Sequence, residues 1–309
     1  MESESLSFVN IGWLKQLYRQ LKQQSSDTSE QELVRLGDDF TDPLELSKFY
    51  VEPCLQAHRP LPRRHDIGVL PPDPCQPAFC LLNSFLAGGS PNKRDGSHQL
   101  FLLGEPGAGK TALLLMIRLM QLAGFWPQGY DCHLLQLGAD TPNEIEAIEG
   151  REKTVLLLDA LNEDKQARRS TLERLRLLLR AGGGCYRVII SCRSHFFPSL
   201  RPDSTGRLRI RALSGYNSPV LYLAPFAPGQ IRQLVHKRLA RNTENYVGLR
   251  RFGVERRRKQ AVQFLNGLQE QGRRPLLLQH IAALLKIEGH RTRTVYTMYE
   301  ALIQYWLDR

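Results

Sequence analysis

Hydrophobic and polar positions form two different patterns along this chain, short continuous apolar runs and apolar residues at helical spacing. Five short apolar runs in the middle of the sequence predict buried strands, at 99–103, 133–137, 154–159, 187–192 and 219–223. Longer segments between them have apolar residues at helical spacing and predict helices at 110–123, 143–149 and 164–181. Strands alternating with helices predict an α/β fold, with a parallel sheet and right-handed crossovers.

The pattern changes on both sides of this region. Before it we expect a helix, a Ser-rich linker, a proline-rich extended connector and a second short helix, at 11–23, 24–31, 60–78 and 79–86. After Pro225 the apolar spacing is wholly helical, at 230–241, 259–269, 276–287 and 297–307. We therefore predict an N-terminal helical and linker region, an α/β domain and a small helical domain, with bounds 1–90, 91–227 and 228–309.

A glycine-rich loop follows the first predicted strand directly. It fits the phosphate-binding pattern G-x-x-x-x-G-K-[ST], the P-loop of nucleoside triphosphatases, and its strand and helix neighbours are the ones that this motif needs. Glycines allow successive N–H groups to turn inward around an anion. Lys110 is expected to reach the β- and γ-phosphates, and the Thr111 hydroxyl to ligate Mg²⁺. The candidate nucleotide-binding residues are Gly104, Glu105, Pro106, Gly107, Ala108, Gly109, Lys110 and Thr111.

Two other predicted strands end in polar side chains. Asp159 closes one, at the sheet edge where a carboxylate can hold Mg²⁺; taken alone it could be a turn residue at a strand end, but beside a P-loop we favour a metal ligand. Glu163 can polarise an attacking water or simply be a charge at a helix start. Arg193 ends the next strand, where it can stabilise charge on the γ-phosphate or form a surface salt bridge. Ser191 is a weaker candidate for a polar sensor beside it.

Composition narrows the class of protein further. The chain has 309 residues, of which 42% are hydrophobic and 24% charged, as is common for globular proteins. The sequence offers neither a run long enough to span a membrane nor a signal peptide, so we expect a cytoplasmic protein. Six cysteines without C-x-x-C spacing favour free thiols over a zinc site. The net charge of +11 permits contact with nucleic acid without demonstrating it.

Taken together, these segments resemble bacterial NACHT-type NTPases of the STAND class of signalling ATPases. The resemblance rests first on 104–111, 156–163 and 189–194. Three later segments, 222–226, 274–277 and 299–302, extend it over about 95–309. Tyr50-Val51-Glu52-Pro53 is similar to a short motif upstream of the NTPase domain in some bacterial members.

The resemblance implies specific roles. Lys110 and Thr111 would bind phosphate and Mg²⁺, Asp159 would bind Mg²⁺, and Glu163 would be the catalytic acid. Arg193 resembles a sensor arginine, and Pro275 a proline that packs near the adenine. Many relatives have a second acid where this chain has Asn162, which predicts slow hydrolysis. Relatives usually continue into winged-helix and sensor regions beyond the position of Arg309, so a truncated product, an expressed fragment and one part of a split system are all open.

The sequence therefore predicts an ATP/ADP-dependent switch with slow, Mg²⁺-dependent hydrolysis. Nucleotide would bias the orientation of the two later domains, with output through residues 1–90, through protein partners or through self-association. The resemblance alone implies antiphage defence. Two alternatives are an ATP-driven nucleic-acid motor or loader, favoured by the charge around Arg256, and a catalytically idle module that holds ADP. A small-molecule kinase is the least favoured, because no acceptor site is evident.

Overall fold

The structure is a computed structural model. It describes residues 16–17, 19–20, 27–60, 75–88, 96–126, 129–196, 207–208, 218–240, 256, 258–263, 265, 273–281, 296, 299–300, 303–304 and 307. These residues form two compact units. A sheet unit draws on 1–48, 54–106 and 110–224, and a helical unit draws on 49–53, 107–109 and 225–309.

One mixed β-sheet organises the sheet unit. Its strands in the described part of the chain are β1 (Cys54–Gln56), β2 (Gln76–Pro77), β3 (Gln99–Gly104), β4 (Asp131–Gln136), β5 (Thr154–Asp159), β6 (Arg187–Arg193), β7 (Arg207–Leu208) and β8 (Ser218–Leu223). They lie side by side in the order β2-β1-β8-β3-β6-β5-β4, and β7 pairs with β8.

The five long strands, β8, β3, β6, β5 and β4, all run parallel. Every residue of β3 and β5 is buried, as expected for parallel strands covered on both faces. β6 lies between β3 and β5, and its last residue, Arg193, is in register with Gly104 at the end of β3. This register brings the carboxyl ends of three strands together at one edge of the sheet.

Of the helices whose bounds the described residues give, seven belong wholly or largely to the sheet unit. They are α1 (Asp27–Asp39), α2 (Pro43–Phe49), α3 (Ala78–Ala87), α4 (Lys110–Leu122), α5 (Thr141–Glu146), α6 (Lys165–Arg169) and α7 (Thr171–Ala181). The apolar face of α7 packs with β5 and β6 in one hydrophobic cluster, which includes Leu175, Leu178, Leu156 and Val188. Burial of such side chains is the main force that holds helix to sheet.

The helical unit contains α8 (Pro228–Ala240) and α9 (Pro275–Gln279). Its core includes residues from both helices and from a short upstream segment, among them Leu234, Leu277 and Val51. That segment, 49–53, lies along α8. The Gln230 side chain donates to the Glu52 carbonyl oxygen at 2.6 Å, and the Lys237 ammonium donates to that of Tyr50. The motif noticed upstream of the α/β region thus packs in the helical unit.

The strand predictions are confirmed to within two residues at each end. The described positions in 11–23, 259–269 and 297–307 are helical, and 61–74 of the proline-rich connector lie outside the described residues. None of the helices in the described part of the chain has the length and apolar character needed to cross a bilayer.

Three helix and linker predictions need correction. The linker predicted at 24–31 is wrong from Asp27 onward, because the polar residues form the first turns of α1. Glu32 of this helix is paired with Arg118 of α4 at 2.9 Å. The helix predicted at 143–149 lies at Thr141–Glu146 instead.

The single helix predicted at 164–181 is divided in two. Ser170 takes an extended conformation, with φ −145° and ψ 91°, that ends α6. Its carbonyl oxygen accepts the first hydrogen bond of α7, from the Arg174 N–H. Serine favours such helix boundaries over helix interiors, and hydrophobic periodicity alone does not register the interruption.

Candidate functional site

The glycine-rich loop joins the end of β3 to the start of α4. Gly107 and Gly109 have φ angles of +74° and +95°, which residues with a side chain rarely adopt. α4 begins at Lys110, so its first N–H groups face the loop without partners inside the helix. A loop of this shape before a helix N-terminus suits an anionic phosphate.

The Lys110 ammonium lies over its own loop. It donates to the carbonyl oxygens of Gly104 and Glu105, at 2.9 and 3.2 Å. Burial lowers the pKa of this ammonium, and the nearby Asp159 carboxylate only partly opposes that effect. A phosphate anion would supply the opposite charge that a desolvated ammonium lacks. The residues therefore fit a nucleotide phosphate.

Asp159 is the centre of a buried polar cluster at the end of β5. The residue is 3% exposed, and its carboxylate accepts hydrogen bonds from the Thr111 hydroxyl, at 2.7 Å, and from the Ser191 hydroxyl. Mg²⁺ prefers oxygen ligands of this kind, few in number and completed by water and phosphate. The donor set of Thr111 and Asp159 thus fits a magnesium ion bound with a nucleotide.

A strained turn follows Asp159. Ala160 has a φ of +63°, the only positive value for a non-glycine residue in the described part of the chain. Its N–H donates to the Ser191 hydroxyl at 2.9 Å, and its carbonyl oxygen accepts from the Glu163 N–H at 2.7 Å. Such strain costs on the order of 1–3 kcal/mol and persists where the surroundings impose it. The turn fixes where residues 161–163 emerge beside the sheet edge.

Glu163 and Arg193 are brought together by this turn and the end of β6. The Arg193 guanidinium lies 3.2 Å from a Glu163 carboxylate oxygen, and both side chains are partly exposed, at 39% and 52%. An ion pair this exposed contributes about 0–1 kcal/mol. Both charged groups can therefore exchange partners at little cost when a phosphate or a water arrives.

The loop's remaining candidates have other neighbours. Glu105 is paired with Arg59 at 3.1 Å, a residue that lies 46 positions earlier in the chain. Gly107 and Gly109 belong to the helical unit and pack against the start of α9. A Cβ atom at Gly107 would lie only 2.9 Å from Leu276 Cβ, which is too close, and a Cβ atom at Gly109 would lie 3.6 Å from Pro275 Cγ. Pro275 is the first residue of α9 and borders the glycine loop at Gly109.

Sequence reasoning missed one buried ion pair behind the site. Arg174 of α7 and Asp164 lie 2.6 Å apart and are 2% and 1% exposed. The Asp164 carboxylate also accepts from the N–H groups of Gln166 and Ala167, which caps α6. An aspartate just before a helix is a common N-cap, so this capping role could have been predicted from the sequence. The ion pair with Arg174 could not, because the sequence predicted a single helix that includes both residues.

Comparisons with known proteins give only structural similarity. No protein-family model matches the chain, and no curated protein matches it either. Among solved structures it is similar to C. elegans PCH-2, with 15% identity, TM-score 0.42 and coverage of 74% of this chain and 67% of that one. It is also similar to domain III of the Thermotoga maritima replication initiation protein DnaA, with 14% identity, TM-score 0.38 and coverage of 73% of this chain and 88% of that one. For Drosophila ORC bound to DNA the identity is 15%, the TM-score is 0.40, and the match covers 75% of this chain and 67% of that one.

The assignment of this fold rests on the chain's own features. A parallel sheet with the glycine loop at the end of an internal strand, followed directly by a helix, is the α/β fold of P-loop NTPases.

Proposed function

We propose that this chain is an ATP-dependent switch that binds ATP with Mg²⁺ at the glycine loop and hydrolyses it slowly. One observation carries the proposal: the Thr111 hydroxyl and the Asp159 carboxylate, the two groups that P-loop chemistry assigns to magnesium, lie 2.7 Å apart. They are 48 residues apart in the sequence. Two groups that bind the same metal ion must lie close together, and the fold brings these two together.

Each group at the sheet edge has a task in binding. The N–H groups of the loop and of the first turn of α4 would hold the phosphate oxygens, and Lys110 would neutralise them. Thr111 and Asp159 would hold Mg²⁺, which supplies positive charge to the β- and γ-phosphate oxygens when it is bound. Ser191 would keep the Asp159 carboxylate oriented toward Thr111 through its own hydrogen bond.

Hydrolysis would use the turn after β5. A water oxygen attacks the γ-phosphorus, its proton passes to the Glu163 carboxylate, and the bond from phosphorus to the bridging oxygen of ADP breaks. The Arg193 guanidinium, which lies 3.2 Å from the Glu163 carboxylate, would then interact with the negative charge that develops on the γ-phosphate oxygens. Since its present ion pair is exposed and weak, that change of partner is inexpensive.

A signalling role is the finer part of the proposal. Its support is the resemblance to NACHT-type STAND proteins, in which nucleotide state governs assembly with protein partners or with further copies. ATP and ADP differ in the γ-phosphate, so groups that contact it, Lys110 and Arg193 above all, would give the two nucleotides different binding energies. Antiphage defence is the setting that this resemblance favours.

Glu163→Gln tests the hydrolytic part directly. The amide preserves shape but cannot take up the proton from water, so turnover should fall by about 10²–10⁴-fold while the Kd for ATP stays within about twofold. Glu173→Gln, an exposed acid on α7, is the matched control and should leave both quantities unchanged. Unchanged turnover in Glu163→Gln would remove the catalytic role from this residue.

A nucleic-acid motor is the second candidate. The net charge of +11 and the exposed Arg256 and Lys259 favour it. Turnover that rises when DNA or RNA is added, with binding that weakens steeply as salt increases, would establish this function in place of the switch. Turnover that is indifferent to nucleic acid would leave the switch as the account.

A further inference from the structure

Asn162 occupies a special place between the two residues proposed for hydrolysis. It follows the strained Ala160 turn, and the residue is only 6% exposed. Its own carbonyl oxygen accepts from the Arg168 guanidinium at 2.9 Å. Asn162 is thus buried and its backbone is anchored, in contrast to the partly exposed side chains of Glu163 and Arg193.

Hydrogen bonding fixes which way the Asn162 amide points. The Arg193 N–H lies 3.1 Å from the amide oxygen, and an N–H can only donate, so the oxygen must face Arg193. The amide nitrogen then faces Glu163, with Nδ2 at 3.4 Å from the carboxylate oxygen Oε1. The Arg193 guanidinium approaches this same Oε1 at 3.2 Å. One side chain thus connects the end of β6 to the Glu163 carboxylate.

We propose that Asn162 is a positioning residue for hydrolysis, one that sets the Glu163 carboxylate against the end of β6. The inference rests on the proposed function. The donor on Nδ2 is the important group, because a carboxylate at this position has no hydrogen to offer Glu163 and would repel it. The sequence predicts slow hydrolysis because an acid is missing at position 162, whereas the structure shows that the asparagine there donates a hydrogen bond that an ionised acid could not provide.

Physical reasoning gives the size of the effect. Glu163 is 52% exposed and few contacts limit its rotamers, so the amide and the guanidinium are its described constraints. A displacement of about 1 Å in a group that takes up a proton can cost on the order of 10²-fold in rate. The side-chain hydrogen bonds of Asn162 go to the Glu163 carboxylate and to the backbone N–H of Arg193, and not to the glycine loop, to Thr111 or to Asp159. Its loss should therefore lower kcat and leave the KM for ATP nearly unchanged.

Asn162→Asp is the sharpest test, performed on the full chain with ATP and Mg²⁺. The new side chain keeps an oxygen for the Arg193 N–H and loses only the donor that faces Glu163. We expect kcat to fall by about 10–100-fold with KM within about twofold. Asn143→Asp, an exposed position on α5, makes the same chemical change away from the site and should have no effect. A kcat equal to that of the unaltered protein would overturn the proposal.

A double-mutant cycle distinguishes positioning from general damage. If Asn162 acts through Glu163, then Asn162→Asp should cause almost no further loss of turnover in a chain that already carries Glu163→Gln. Equal fold losses in both backgrounds would overturn the proposal. Asn162→Ala, which removes the whole amide without adding charge, serves as the second variant should the aspartate prevent folding, and the same drop in kcat is expected.

The result also separates this inference from the proposed function. Absence of any ATP turnover in the unaltered protein would overturn both. Turnover that is lost in Glu163→Gln but retained in Asn162→Asp would uphold hydrolysis and overturn the positioning role alone.

Discussion

Ser191 shows at the residue scale how much a single hydroxyl can organise. It is fully buried, donates to the Asp159 carboxylate and accepts from the Ala160 N–H. One group thus ties the proposed metal ligand to the strained turn that leads to Glu163. In the sequence Ser191 is only a polar residue near a strand end, because its partners are set by the pairing of β5 with β6.

Replacing Ser191 by alanine should damage both stability and metal binding. The partly buried Ala160 N–H loses its partner, and the buried Asp159 carboxylate loses a donor, so the free energy of unfolding should fall by about 1–3 kcal/mol. The affinity for Mg²⁺ in the presence of ATP should fall by about 10-fold, because support behind a metal ligand governs its orientation. Urea denaturation and a magnesium titration of turnover measure the two effects.

Ser84→Ala is the matched control for this experiment. Ser84 is an exposed serine on α3, whose hydroxyl donates to the Cys80 carbonyl oxygen at 3.1 Å. Its removal should change stability by less than about 0.5 kcal/mol. Equal effects at positions 84 and 191 would contradict the account of Ser191.

At the scale of elements, α6 and α7 are joined by the buried Arg174–Asp164 pair. Its neighbours are polar: the Arg174 guanidinium also donates to the Gly138 carbonyl oxygen, and Asp164 caps α6. Breaking such a pair by removing one charge leaves the other buried and uncompensated, which is far more costly than losing a surface pair. These two short helices therefore depend on one interaction between charges.

Asp164→Asn should unfold the protein at markedly lower urea concentration. Asparagine still caps α6, yet it leaves the buried Arg174 without its counter-charge, so we expect a loss of about 3–5 kcal/mol. Adding Arg174→Met should restore most of that loss. The control is Asp39→Asn, which breaks an exposed pair with Arg35 on α1 and should cost less than about 1 kcal/mol. Similar losses in the two asparagine variants would refute the importance of burial here.

The elements also show what the sequence predicted well. Strands were predicted closely because buried parallel strands are continuous apolar runs, such as 155–158 before Asp159. Helix boundaries that depend on local backbone chemistry were predicted poorly. Examples are the interruption at Ser170 and the start of α1 at Asp27, inside the predicted linker. Hydrophobic periodicity reports which face of a helix is buried, and it contains little information on where the helix begins.

The candidate site follows the same division. The P-loop and Asp159 are visible in the sequence because each depends on a short local pattern. The contacts of Ser191, Asn162 and Arg174 depend on which strands and helices become neighbours, and a single sequence does not specify those distances.

At the scale of the whole molecule, two compact units share the described chain, and both are discontinuous in sequence. The helical unit includes 49–53 as well as its C-terminal residues, and it includes Gly107–Gly109 of the glycine loop. Within that unit the Leu276 N–H donates to the Gly107 carbonyl oxygen at 3.3 Å, and the same loop is the proposed site of the nucleotide phosphates. Nucleotide binding at that loop is therefore the property to measure first.

The decisive measurement is a calorimetric titration of nucleotide-free protein with ATP and Mg²⁺, beside the variant Lys110→Ala. We predict saturable, magnesium-dependent binding in the unaltered chain and a Kd at least about 100-fold weaker in the variant, because a desolvated ammonium facing phosphate cannot be replaced by solvent. Lys153→Ala, at an exposed lysine before β5, should bind as the unaltered chain does. Equal affinity in Lys110→Ala and in the unaltered protein would contradict the central claim.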